Sequence, residues 1–147
     1  MKTRRMLLLW FLSLTWGLPA ALAGAGMAVL CLARGLKPKL FHGNIYFEQV
    51  RPYGSNNLGP FFFLGGNAGE YTKCHEAGHG LQNILYGPLY LFVVGIPSEL
   101  WYRRFQRVYA KEIASGKWPD AERWAAYEKC WVERQASVWG KRAYSAK

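Results

Sequence analysis

Thr72-Lys-Cys-His75-Glu76-Ala77-Gly78-His79-Gly80-Leu-Gln82-Asn83-Ile-Leu-Tyr86 is the stretch from which this chain is best read. Thr72 is a good helix N-cap, and Gly87-Pro88 directly after Tyr86 is a strong stop, so the spacing predicts a helix over 72–86. Within it His75-Glu76-Ala77-Gly78-His79 reads H-E-x-x-H. On a helix, imidazoles at i and i+4 leave one face and can reach one tetrahedral metal. Glu76 sits about 100° round the helix, where it can reach a water without being a metal ligand. A carboxylate so placed can take a proton from that water and pass it to a leaving group. With 3 His and 8 Glu in 147 residues, an accidental match is expected in about 1 chain in 300.

A metal site built this way needs a third protein ligand. His42, the remaining histidine, lies in a turn-like segment. A better candidate is Glu133, in the last predicted helix. On a helical wheel it shares a face with the small residues Ala126, Cys130, Ala136, Ser137 and Gly140, which lets another helix come close. The plain alternative is a Glu133 that points to water and pairs with Lys129 one turn earlier.

Upstream of the motif, Met6–Leu32 is a run of 27 residues without a charge, preceded by Lys2, Arg4 and Arg5 and followed by Arg34, Lys37 and Lys39. As one helix it would be about 40 Å long, more than the roughly 30 Å hydrocarbon core. We read residues 1–33 as a single-pass transmembrane anchor. The competing reading is a signal peptide cleaved near residue 23, at Ala21-Leu-Ala23, leaving a secreted or periplasmic protein. Equal basic flanks leave the orientation open. Residues 34–147 then form one domain. Ile45–Val50 and Leu58–Leu64 are rich in β-formers and flank the turn-like Pro52-Tyr-Gly54-Ser55-Asn56-Asn57, so a β-hairpin is expected over 45–64. Leu89–Ile96 is too short to span a bilayer. Further helices are expected over 97–115 and 120–144. The fold class is therefore mainly α with a small β-hairpin (α+β), an N-terminal transmembrane helix preceding a compact helical domain.

Nineteen Lys and Arg against nine Asp and Glu give a net charge of +10. Nucleic acid is not expected as a partner, because the basic residues are scattered and no recognised binding motif occurs. The charge instead suits anionic membrane lipids. Three cysteines rule out a disulfide framework. Cys74 and Cys130 flank the two metal-site segments and are read as packing residues by default, with a disulfide or an alternative ligand as the other options; Gln82 and Asn83 extend the histidine face and are read first as ordinary helix polarity, with a hydrogen bond to a ligand imidazole or a substrate as the alternative.

H-E-x-x-H followed by a helical E-x-x-A, here Glu133-Arg-Gln-Ala136, resembles the gluzincin class of zinc metallopeptidases. The resemblance implies Zn2+ held by His75, His79 and Glu133, with Glu76 as the catalytic base acting on a peptide or protein substrate. Where that class often has Asp after the Ala, this chain has Ser137. The chain also resembles small bacterial membrane proteins with an H-E-x-G-H-x-x-Q core. The matching pieces are Tyr46-Phe-Glu48, Gly59-Pro-Phe-Phe-Phe63, His75–Gln82, Gly87-Pro88, Val94-Gly-Ile-Pro-Ser98 and Trp131-x-Glu133-x-x-Ala136-x-x-x-Gly140. That resemblance places the protein in a bacterial cell membrane and implies no particular activity. A non-catalytic membrane scaffold with a structural or vestigial metal site is the alternative reading.

Overall fold

The computed structural model of the protein describes residues 2–51, 54–66 and 68–145. Pro52 and Tyr53, read above as part of a turn, lie outside the described residues, as do the last two residues of the domain assigned to 34–147. The apolar segment is two helices, α1 (Lys2–Thr15) and α2 (Leu18–Ala33), rather than one. The Leu12 carbonyl accepts from both Trp16 N and Gly17 N at 2.9 Å, which closes α1. Pro19 then sits in the first turn of α2, where its missing N–H costs nothing. The chain turns by 100° at this break. At 1.5 Å per residue, α1 and α2 are about 21 and 24 Å long. Among the described residues no single helix is long and apolar enough to cross a membrane.

Both helices pack on the domain. Leu9 and Ser13 are buried beneath α1, and Trp10 Nε1 donates to the Gly43 carbonyl at 2.8 Å. Ala20, Ala21, Gly24, Ala28 and Cys31 form the buried side of α2.

Four strands follow: β1 (Lys39–Phe41), β2 (Asn44–Arg51), β3 (Asn56–Leu58) and β4 (Phe61–Gly65). They form one mixed sheet in the order β1-β2-β4-β3. The expected hairpin over 45–64 does not form: β2 and β4 are parallel, with Ile45 opposite Phe61 and Phe47 opposite Phe63. The tight turns lie elsewhere. His42 and Gly43, with φ of 47° and 92°, join β1 to β2, and Gly59 (φ 69°) and Pro60 join β3 to β4. The left-handed backbone at these points suits a two-residue hairpin turn, whereas the polar stretch before β3 serves as a crossover. Alternation then splits the aromatic residues between two faces. Tyr46, Phe62 and Leu64 pack with Phe41, Cys74, Ala77 and Tyr144, while Phe47 and Phe63 pack with Ala28 and Cys31 of α2. The Tyr46–Phe62 and Phe47–Phe63 pairs stack with centroids 5.0 and 5.8 Å apart. The sheet is thus a middle layer, with α2 on one face and the motif helix on the other.

The motif helix, α3, runs Glu70–Tyr86. It starts before Thr72, because Gly69 takes the extended N-cap conformation there. After Gly87 the chain makes a 3-10 turn, Gly87–Leu89, and a π-helical turn, Leu91–Gly95, that leads into α4 (Ile96–Val108). The helix expected over 97–115 breaks at Tyr109, and α5 (Ala110–Ser115) follows. The helix expected over 120–144 is likewise two, α6 (Asp120–Tyr127) and α7 (Trp131–Tyr144). Cys130 between them is extended and caps α7.

α3 and α7 cross in close contact, and glycine makes the crossing possible. A Cβ on Gly78 would collide with the Ala136 carbonyl, and a Cβ on Gly140 would collide with the Cys74 carbonyl. The roughly 1 kcal/mol of helix propensity given up at each glycine is the cost of bringing the two backbones together.

Candidate metal centre

The crossing carries Glu133, in the first turn of α7, to the imidazoles of His75 and His79 on α3. Glu133 Oε2 lies 3.1 Å from His75 Nε2 and 3.4 Å from His79 Nε2. One ligand atom from each of the three residues lies within 4.8 Å of the other two, so this buried His-His-Glu group could hold a metal ion. Glu133 has 0% of its surface exposed, His75 3% and His79 5%. Beyond the two imidazole nitrogens, neither Glu133 oxygen has a hydrogen-bonding partner among the described residues. The Lys129 pairing is not made; Lys129 Nζ donates instead to the Tyr109 hydroxyl at 3.3 Å.

The outer nitrogens show how the imidazoles are aimed. Gln82 Nε2 donates to the Val132 carbonyl at 3.0 Å and to Gln135 Oε1 at 2.8 Å. That fixes the amide, so Gln82 Oε1 accepts from His79 Nδ1–H at 2.7 Å. With its proton on Nδ1, a neutral His79 turns the Nε2 lone pair toward a carboxylate oxygen. Two electron-rich atoms face each other, and a cation between them, a proton or a metal ion, relieves the repulsion. Without metal the proton takes that role: burial lowers the His79 pKa, but the hydrogen bond and charge of Glu133, together with the charge of Glu76 and the Gln82 hydrogen bond, outweigh it and raise it to about 9. Burial would raise the Glu133 pKa, yet the two histidines hold it well below the usual carboxylate range. On His75, Nδ1 hydrogen-bonds Ser137 Oγ at 2.8 Å. Each ring is therefore oriented by a neighbour on its far side, as metal-ligating histidines commonly are.

Glu76, 4% exposed, lies beside this group. A cavity of about 430 Å³ reaches His75, Glu76, His79 and Glu133 and is walled by β3 (Asn57, Leu58), Tyr90, Ile96 and Tyr127. A second cavity of about 680 Å³, walled by Trp118, Trp124, Phe105 and Arg123, also reaches His75 and Glu76. The two histidines and both glutamates thus sit, nearly fully buried, at the wall of the first cavity.

The structure brings together all four residues singled out from the sequence. His42 is exposed in the β1–β2 turn, against Phe41 and Tyr144, and does not join them. Two other carboxylates have partners elsewhere: Glu99 pairs with Arg103 at 2.8 Å, and Glu128 accepts from the Tyr71 hydroxyl. Cys74 and Cys130 are both free; Cys74 packs under the sheet and Cys130 against the Tyr90–Val94–Val132 cluster. Gln135 escaped the sequence reading. It is in the same helix as Glu133, but nothing in its spacing signals the bond to Gln82. Ser137, expected as one of the small residues beside Glu133 and as a departure from the gluzincin pattern, takes the partner position on His75. The chain matches no family model, no curated protein and no solved structure.

Proposed function

We propose that this protein is a membrane-associated zinc-dependent hydrolase, most simply a peptidase. The observation that carries the reading is the convergence of two imidazole nitrogens on Glu133 Oε2 at 3.1 and 3.4 Å at a cavity wall. Ligand bonds of about 2.0–2.1 Å in a tetrahedron put neighbouring donors ~3.3 Å apart, which matches these separations. His75, His79 and Glu133 would supply three ligands, and the adjoining cavity is where a fourth, exchangeable ligand would enter, as catalytic sites require and structural ones do not. When bound there, zinc polarises a scissile carbonyl and acidifies a water. Glu76 is placed to act as the base: it would take a proton from a water bound there and return it to the leaving amine. Ser137 and Gln82 hold the two ligand imidazoles in register.

The test is zinc content of the purified full chain, measured with hydrolysis of a mixed peptide pool. One zinc per chain is expected, falling below a tenth in His79→Ala and Glu133→Ala. Glu76→Gln should keep the zinc and lose turnover. A native chain that takes up no zinc sinks the reading. A loaded chain that hydrolyses nothing, with Glu76→Gln indistinguishable from it, leaves a scaffold with a structural metal.

A further inference from the structure

α1 and α2 are covered on one side only. Their inner residues pack on the domain, while Leu7, Leu8, Phe11, Leu14, Trp16 on one limb and Leu22, Val29, Leu30 on the other are exposed, most of them by half or more. At the elbow the Trp16 indole lies against Gly87, at the end of α3. Next along the chain Leu85, Leu89, Phe92, Ile96 and Leu100 are also exposed by half or more, the last two at the rim of the first cavity. Exposed apolar side chains in this number, on a helix pair and on the segment its elbow touches, mark a partner surface.

The charge around it says which partner. Residues 1–47 contain six basic side chains and no acidic one: Lys2, Arg4 and Arg5 begin the helix pair, and Arg34, Lys37 and Lys39 end it. Arg4, Arg34 and Lys37 are exposed, whereas Arg5 donates to the Ala143 carbonyl and lies over Tyr144, and Lys39 pairs with Glu48 at 2.6 Å. An apolar face with basic groups at both ends fits a bilayer with anionic head groups. A straight transmembrane crossing fits poorly, because it would strip α2 from Phe47 and Phe63 and would break the Trp10–Gly43 hydrogen bond.

We propose that the outer faces of α1 and α2, with the Leu85–Leu100 strip, lie in a single leaflet of an anionic membrane, both ends of the pair staying on one side. This rests on the membrane association proposed above and specifies its mode. Trp16 and the elbow enter deepest at the α3 end, and the basic ends stay at the head groups.

The test uses full-length protein bound to sealed vesicles of phosphatidylcholine with about one-third phosphatidylglycerol. Single cysteines replace Thr3 and Lys117 in a background with Cys31, Cys74 and Cys130 changed to Ala, its fold checked by zinc uptake. An impermeant maleimide added outside should label both equally, and Leu22→Cys at least tenfold more slowly than without vesicles. Flotation with the anionic vesicles should exceed flotation with pure phosphatidylcholine at least fivefold, and should drop in Leu8→Glu and, separately, Leu85→Glu. If one end labels only after the vesicles are opened, the chain spans and the single-leaflet mode is overturned while membrane association stands. If the protein floats with neither vesicle, both fail. If Leu22→Cys is protected without vesicles, in a cross-linkable dimer, a second copy covers this face instead.

Discussion

Gly78→Ala sets two effects of opposite sign against each other. By helix propensity alone the change should stabilise α3 by about 1 kcal/mol. In place, the new Cβ would lie 2.7 Å from the Ala136 carbonyl carbon and 3.0 Å from Gly140 N, with the Ala136 oxygen nearer still. Ordinary contact is about 3.5 Å or more, so α3 and α7 must part by roughly 1 Å. Overpacking of this kind costs about 1–3 kcal/mol, which leaves a net loss of roughly 0–2. The metal site should suffer more. The same displacement would carry Glu133 Oε2 beyond its 3.1 and 3.4 Å separations from the imidazoles. Metal bonds tolerate only about 0.2 Å, so zinc affinity should fall roughly 10- to 100-fold. The assays are urea unfolding of the metal-free protein in mild detergent and zinc competition against a chromophoric chelator. Gly26→Ala is the control: nothing lies within 4 Å of a Cβ there, so it should show the propensity gain alone, without change in zinc affinity. A Gly78→Ala protein stabilised like Gly26→Ala, with native zinc affinity, would refute the α3–α7 crossing at this point.

Ser137→Ala and Gln82→Leu each remove one outer partner of a ligand imidazole and should weaken zinc binding about 10- to 100-fold while leaving one site per chain; native affinity in both would mean that the two contacts do not orient the ligands. The metal-free protein should lose stability as pH rises. The His79 pKa is raised to about 9 by Glu133 against the effect of burial, so its contribution is fully present below its unfolded pKa of about 6.5 and is lost as pH passes 9. The zinc-loaded protein holds His79 neutral and should lack that loss. Thermal unfolding with chelator and with zinc, from pH 6 to 10, checks this: the two midpoints should diverge as pH rises, and parallel profiles would contradict it.

Much of the candidate metal site was legible in local pattern. H-E-x-x-H needs only the helical period to put two imidazoles on one face, and Gly87-Pro88 had to end that helix. The small face of Ala136, Ser137 and Gly140 around Glu133 pointed to a close helix neighbour, which is α3. Ala126 and Cys130 were placed on that face by assuming an unbroken helix, but they precede α7. The break at Leu12–Gly17 was legible only in part: Gly17 and Pro19 are there to be read, but 27 uncharged residues look like one span. Their inner sides are committed to the domain, which composition does not reveal. The strand pairing was misjudged because β-propensity marks strands without naming their neighbours.

The sequence by itself determined the local elements: a motif helix with both histidines on one face, two segments rich in β-formers, and a basic-flanked apolar segment. These follow from periodicity and from glycine and proline, which act within a few residues. Only the tertiary structure decided that β2 runs parallel to β4, that the apolar segment folds back as two packed helices, and that Glu133 rather than Glu99 or Glu128 meets the histidines. It also decided that Ser137 meets His75 across 62 residues and Gln135 meets Gln82 across 53. Such contacts depend on how closely two helix backbones approach, and that distance is set by which glycines face each other.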